Sequence, residues 1–292
     1  MIDRGFLLID KANGWTSHDV VAKARRITGI RKIGHAGTLD PMATGLVVLG
    51  IGRATKLLRF LQDLPKEYVA KALFGVATDS LDADGAEISR VAMPITRFDL
   101  DAVIPQFVGP IMQVPPMVSA LKQGGRRLHE LARQGVEVGR PPRPVVIHSM
   151  DLVDFVDGEH PEAVFRIRCG KGTYVRSLVD DMAQALGGRA HLTALRRIRN
   201  GSHSVEGAVT VDELERAGDD WANHVLTPAD ALVDLPAIEL TESEVAAVSN
   251  GVRLARPDGT EEGAMYRMLS GGRLVAVYRV APTELVSEVG LS

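Results

Sequence analysis

Asp40 lies in GHAGTLDPMATG, residues 34–45, where three glycines and a proline dictate a tightly specified backbone path. Its near neighbours are small or apolar, so the carboxylate has few local charge partners. Loops shaped this heavily place a side chain or approach a ligand closely. The same residues also fit an Asx turn, in which an aspartate before proline bonds its own backbone. A second stretch with chemical content is CGKGTYVRS, residues 169–177, which leads into a helix. Arg176 falls in that helix's first turn, where the macrodipole disfavours a cation by about 0.3–1 kcal/mol. A carboxylate from elsewhere would offset this cost, and Asp40 is the partner the sequence offers. The plainer alternative is a solvated arginine whose stem covers apolar surface. Tyr68 opens YVAKALFGV in a chain with only 4% aromatics. Such a tyrosine either packs as a strand residue or, beside a charged site, gives a base something to stack on.

Other chemistries are poorly supplied. The eight histidines, His35 among them, form no H-E-x-x-H or other compact ligand set, so no metal is expected. Cys169 is the single cysteine, which excludes an internal disulfide, and it carries no nucleophile motif. GxSxG and Rossmann GxGxxG are absent, CGKGT is not a phosphate-binding P-loop, and the acidic loop Asp79–Asp84 lacks EF-hand spacing. The residues therefore point to chemistry done by side chains and substrate alone, without a cofactor.

The elements that position these residues follow from pattern. GFLLIDK (5–11) reads as a buried strand, and Thr16 or Ser17 caps a helix over about 18–28 that Gly29 ends. LVVLGIG (46–52) is a strand, Ala54–Leu61 a helix, Tyr68–Val76 a strand and Phe98–Phe107 a helix. From Val114 to Pro144 the chain is irregular and basic, with a short helix expected over Arg127–Gln134. Strands near 145–156 and 163–169 precede a helix over about 174–186, for which Thr173 is the expected cap. Gly187-Gly188 stops it, and His191–Ile198 is a strand amid Arg189, Arg196, Arg197 and Arg199. Leu226–Pro236 reads as a linker to a β-rich unit over 237–292, with strands near 265–269 and 273–279. The fold class is α+β, without a regular βαβ rhythm.

The net charge of −3 hides an asymmetry. Residues 1–200 hold 28 lysines and arginines against 21 acids, a balance of +7, and residues 201–292 hold 6 against 16, a balance of −10. Such contrast fits a polyanionic partner for the first part alone. The basic segment 122–143 and the group Arg189–Arg199 are the candidate phosphate track. No run approaches the roughly 20 apolar residues that span a bilayer. MIDRGFLLID has acids and four consecutive apolar residues, not the pattern of a secretory signal, and the expected location is the cytoplasm.

GFLLIDKANGWTSHDVV, GHAGTLDPMATG, KEYVA, SALKQGGRRLHELARQG, KGTYVRSLVDD and LRRIRNG occur in the order found in TruB-type pseudouridine synthases, and the resemblance covers most of residues 5–205. It implies a mainly antiparallel sheet core of the pseudouridine synthase type with flanking helices over 1–226, including an RNA-binding insertion at about 114–144. A small PUA-like domain over 237–292 would follow. It implies conversion of the T-loop uridine of tRNA, position 55, to pseudouridine by base flipping and carboxylate catalysis.

By the same resemblance Asp40 matches the essential aspartate, Tyr68 the tyrosine that stacks on the target base, and Arg176 the arginine that pairs with the carboxylate. Tyr174 and Leu195 match substrate-pocket positions, His35 a histidine that stacks within the T loop, and Lys11 a lysine that supports the site. Ala12 stands where the family commonly has proline. The implied enzyme is a monomer that acts on the T-arm stem-loop, needs no obligate protein partner and no membrane, and uses no cofactor. Two alternatives are a non-catalytic tRNA-binding or tRNA-folding protein and the catalytic subunit of a guide-RNA particle. A carboxylate-pair glycosidase is remote, because no second acid accompanies Asp40 in the matched blocks.

Overall fold

The computed structural model describes residues 4–117, 122–123, 126–127 and 138–291. Residues 1–40, 45–63 and 201–292 form one compact unit, and residues 41–44 and 64–200 form another. In chain order the elements begin with β1 (Arg4–Lys11), α1 (Ser17–Thr28), β2 (Ile33–His35), β3 (Thr44–Gly52) and α2 (Leu58–Asp63). There follow β4 (Lys66–Phe74), β5 (Val76–Thr78), β6 (Glu87–Arg90), α3 (Arg97–Val103) and β7 (Gly109–Gln113). Next come β8 (Lys122–Gln123), β9 (Arg126–Arg127), β10 (Arg143–Val156), β11 (Glu162–Cys169), α4 (Val175–Ala185) and β12 (Ala190–Asn200). Short segments β13 (His203–Ser204), β14 (Val209–Thr210), α5 (Val211–Arg216) and α6 (Pro228–Ala231) precede the C-terminal part. That part comprises β15 (Ala237–Glu239), α7 (Glu242–Ser249), β16 (Leu254–Ala255), β17 (Met265–Ser270), β18 (Arg273–Val280) and β19 (Glu284–Gly290).

In the first unit β1 pairs antiparallel with β3 from Arg4↔Gly52 to Lys11↔Gly45 and parallel with β14 at Ile9↔Val209. Phe6, Leu7, Leu8 and Ile9 are all buried, as a strand covered on both faces requires. α1 starts at a capping box in which Thr16 and Asp19 exchange bonds, and it ends at Gly29 with φ 71°, the left-handed conformation glycine adopts without strain. The C-terminal strands form a separate five-stranded sheet, ordered β15-β17-β18-β19-β16, over a core of Leu240, Val248, Met268, Tyr278, Val280 and Leu285. This curled sheet fits a PUA-like domain.

The segment expected to be a linker is instead structured. Phe6 and Leu226 exchange both backbone hydrogen bonds, at 3.0 and 2.8 Å, and Thr227 caps α6. Ala229, Ala231 and Leu232 are buried, and Arg267 of the C-terminal sheet donates to the Ala229 carbonyl. The polar, proline-bounded composition of this stretch marks its turns, while its alanines and leucines are what it buries.

The second unit is an antiparallel sheet ordered β12-β4-β11-β10-β7, with β5 and β6 as a side hairpin. Its helices come close to expectation. Arg97–Val103 is helical but tightens to a 3-10 turn over Ile104–Phe107, where Pro105 withholds a backbone donor. The expected helix at 127–134 lies outside the described residues. α4 buries Val175, Leu178, Val179 and Met182. Its N-cap is Tyr174, not Thr173, whose hydroxyl is spent on the Gly170 carbonyl at 3.1 Å. The mixed α+β class and the mainly antiparallel core agree with the sequence reading. No helix among the described residues is long and apolar enough to cross a membrane.

Candidate active site

Lys11, His35 and Asp40 belong to the first unit. Asp40 is half-buried and follows Leu39, whose backbone is held by Ser17, the first residue of α1. The Ser17 hydroxyl accepts from the Leu39 N–H at 2.9 Å and lies 3.4 Å from its carbonyl. Ser17, Leu39, Met42 and Ala43 are buried, so the turn carrying Asp40 is packed on both sides of the carboxylate. Gly37 and Gly45 bracket it with φ of 107° and 98°, which a side chain would strain. His35 closes β2 opposite Leu49, its ring edge-on to His18 at 5.4 Å. Lys11 is fully buried and donates to the carbonyls of Ala12 and Trp15 at 3.0 and 2.5 Å. Its ammonium thus holds the turn into α1 even though Ala12 replaces a proline.

Tyr68, Tyr174, Arg176 and Leu195 belong to the second unit. In register, Tyr68 on β4 faces Ile167 of β11 on one side and Arg197 of β12 on the other. Leu195, two residues from Arg197 and opposite Ala70, projects from the same face. Tyr68 is half-buried and Leu195 nearly buried, which leaves an aromatic ring beside an aliphatic wall. Tyr174 and Arg176 sit together at the start of α4.

Arg176 is only 2% exposed. A buried guanidinium is tolerated when it is paired and hydrogen-bonded. Its Nη1 donates to the Ser80 carbonyl at 2.7 Å and lies 3.1 Å from Oδ2 of Asp82, itself 4% exposed. Asp82 is held in turn by the Ser80 hydroxyl and by the Asp84 N–H. Between them Leu81 has φ 63°, a conformation rare for a branched residue. That kink turns the Ser80 carbonyl and the Asp82 carboxylate toward one guanidinium nitrogen. The loop is fixed to the sheet where the Leu192 N–H donates to the Leu81 carbonyl at 3.1 Å.

Several sequence readings change here. In the Arg189–Arg199 group the side chains of Arg189 and Arg199 stay 42% and 47% exposed, so only part of the group is open to a phosphate. Arg189 makes a bidentate pair with Asp180 at 2.8 and 3.0 Å, and Arg197 is buried. Arg199 lies near Glu67, and Arg196 reaches Thr44. In the sequence Asp82 is only part of an acidic turn, and Ser17 only a possible cap. Neither role has a local signal, because both depend on contacts across long chain separations. Burial pushes the Cys169 thiol up to about 11, in keeping with the absence of a nucleophile motif around it.

Within the second unit the Tyr68–Leu195 wall suits the stacking of a nucleobase, and comparison with known proteins decides the class. Residues 25–175 match the TruB family pseudouridylate synthase N-terminal domain, and residues 176–234 match the tRNA pseudouridylate synthase B C-terminal domain. The chain belongs to the TruB family of pseudouridylate synthases. It is therefore an isomerase.

Among its relatives, tRNA pseudouridine synthase B of Azoarcus sp. (strain BH72) is 43% identical over 94% of this chain and 90% of its own. The protein of the same name from Symbiobacterium thermophilum is 46% identical over 85% of this chain and 82% of its own. The crystal structure of the archaeal box H/ACA sRNP Nop10-Cbf5 complex includes a chain that superposes with a TM-score of 0.74 at 25% identity, covering 99% of this chain and 85% of that one. A chain of a Cbf5-Nop10-Gar1 complex gives 0.74 at 26%, covering 98% and 83%.

Proposed function

We propose that this synthase converts the T-loop uridine of tRNA, position 55, to pseudouridine as a stand-alone cytoplasmic monomer. The observation that carries the reading is identity of 41–46% to proteins named tRNA pseudouridine synthase B over most of the chain. The family's GTLDP, KEY and GTYVRS motifs stand intact within it. Likeness to the chains from the two Cbf5-containing complexes is lower, at 25–26%, which favours the tRNA enzyme over the catalytic subunit of a guide-RNA particle.

In this reading Asp40 is the catalytic carboxylate and Arg176 the cation that keeps it ionised. The reaction breaks N1–C1′ of the uridine, turns the ring and joins C5 to C1′. The C5 proton leaves and N1 is protonated, so no electrons are gained or lost. Asp40 acts either as the nucleophile at C1′ or as a base. Tyr68 stacks on the flipped base against Leu195 and stands near the proton that leaves C5. Tyr174 lines the same pocket, His35 stacks within the T loop, and Lys11 braces the turn before α1. Extruding the base costs a few kcal/mol, which stacking and phosphate contacts offset.

The test is tritium release from a C5-tritiated T-arm stem-loop, comparing wild type with Asp40→Asn, without guide RNA or partner protein. Release by wild type alone supports the assignment. Equal release by both enzymes discards Asp40, and release by neither despite tight RNA binding favours a tRNA-binding protein without turnover.

A further inference from the structure

Gln113, the last residue of β7, is 2% exposed and 61 residues from Tyr174 in the chain, yet its amide takes both backbone groups of Tyr174. The Tyr174 N–H donates to Oε1 at 2.8 Å, and Nε2 donates to the Tyr174 carbonyl at 3.0 Å. Tyr174 has φ −102° and ψ 105°, an extended conformation, so the side-chain amide pairs with it as a neighbouring strand would. One residue on, the Val114 carbonyl accepts from the Ser177 hydroxyl at 3.1 Å.

These ties matter because the first turn of α4 lacks the usual support. Its N-cap, Tyr174, makes no side-chain cap bond, and the turn has no acidic residue to complement the macrodipole. It carries instead the buried cation Arg176. An uncapped first turn frays, and fraying here would displace Tyr174 and Arg176 together.

We infer that Gln113 is a positioning residue for pseudouridylation, fixing the Tyr174–Arg176 turn through its paired donor and acceptor. The inference rests on the proposed roles of those two residues. Among side chains of this reach, only glutamine presents an acceptor and a donor side by side at neutral pH. An ionised glutamate keeps the bond from the Tyr174 N–H but sets a carboxylate oxygen against the Tyr174 carbonyl. A protonated glutamic acid offers one acceptor and one donor and restores the pairing.

The experiment compares Gln113→Glu with wild type in single-turnover tritium release from the T-arm stem-loop across pH 6 to 8.5. RNA affinity and Tm are measured on the same samples. At high pH the variant's rate falls by about tenfold or more, as expected when a reacting constellation is slightly misplaced, while Kd stays within about twofold. The rate relative to wild type recovers as pH falls and the introduced carboxylate takes up a proton. A residue that merely stabilised the fold would change Tm without changing the rate of folded enzyme or its pH profile. Wild-type rates in the folded variant at every pH overturn the inference. If the Gln113→Glu variant fails to fold, Gln113→Asn, one methylene too short to make both bonds, is measured instead. It is expected to lose about tenfold, and a wild-type rate there overturns the inference equally. Absence of release by wild type itself counts against the functional reading rather than against Gln113.

Discussion

At the scale of single residues, Asp82 is the side chain whose importance is least visible in the sequence. It supplies a charge beside a buried guanidinium, so removing it takes that charge from Arg176 in a low-dielectric site. Asp82→Ala is expected to cost about 3–5 kcal/mol of stability, the usual penalty for breaking a buried pair from one side. Asp82→Asn keeps the shape and removes the charge, and should slow turnover by at least about tenfold with RNA affinity little changed. Denaturant unfolding and single-turnover assays check the two halves, and a fully active Asp82→Asn would show that this charge does not set the position of Arg176.

Asp181 gives a second residue-scale prediction. Burial, with the neighbouring Asp180 charge adding to it and Arg189 opposing, raises its carboxyl from 3.8 to about 6. Between those values the native state holds more protons than the unfolded chain, so this group's contribution to stability falls as pH rises through that window. Asp181→Asn should therefore raise Tm relative to wild type at pH 7–8, with the gain disappearing below about pH 4. A constant difference across pH would mean the effect is packing and not ionisation.

At the scale of elements, the start of α1 is tied to the Asp40 turn through one hydroxyl. Ser17→Ala leaves the buried Leu39 N–H without that acceptor, a loss of about 1–3 kcal/mol, and frees the residue that precedes Asp40. The expected result is a lower Tm together with a slower chemical step, whereas a lower Tm with normal rates would make Ser17 purely structural.

How much of the molecule is legible in the sequence also divides at this scale. The strand at 5–11 is readable as a continuous apolar run, and the helices at 18–28 and 174–186 because one helical period of burial runs through each of them. Thr16 and Gly29 give the ends of the first helix for reasons of local geometry. Leu226–Pro236 looks like a linker because its backbone bonds go to Phe6, far away in sequence, and turn residues hide such pairing. Thr173 looks like a cap, but a hydroxyl just before a helix has competing acceptors, and here the Gly170 carbonyl wins. Asp40, Tyr68 and Arg176 stand out through motif resemblance, whereas Asp82, Ser17 and Gln113 act through contacts formed only once the chain has folded.

At the scale of the whole molecule, an acidic protein must bind a polyanion through local cations, since its total charge of −3 gives no long-range attraction. In the Arg189–Arg199 group Arg197 is buried and Arg189 is paired with Asp180, so other cations can share that task. Residues 29–62 hold five cations, Arg31, Lys32, Arg53, Lys56 and Arg59, against the single acid Asp40. Arg59 is paired with Glu288, and the other four are exposed. The Gly52 N–H donates to the Lys32 carbonyl at 2.7 Å, which sets Arg53 beside Lys32. Lys56 follows within the 3-10 turn Arg53–Leu57, and Arg31 and Lys32 lead directly into the strand that ends at His35.

Such a group adjoins the strand that ends at the proposed T-loop contact, His35, and offers four cations to RNA phosphates. Replacing all four with serine should weaken RNA binding and flatten its dependence on salt, each lost phosphate contact removing about 0.7–0.9 from the slope of log K against log salt. The rate at saturating RNA should stay near that of wild type, because none of the four belongs to the catalytic group. Titration of tRNA and of the isolated T-arm stem-loop at several salt concentrations distinguishes the cases. A reduced slope with both RNAs places the patch on the T arm, and a reduction with whole tRNA alone places it on the rest of the molecule. An unchanged slope with either would mean that the RNA follows another surface.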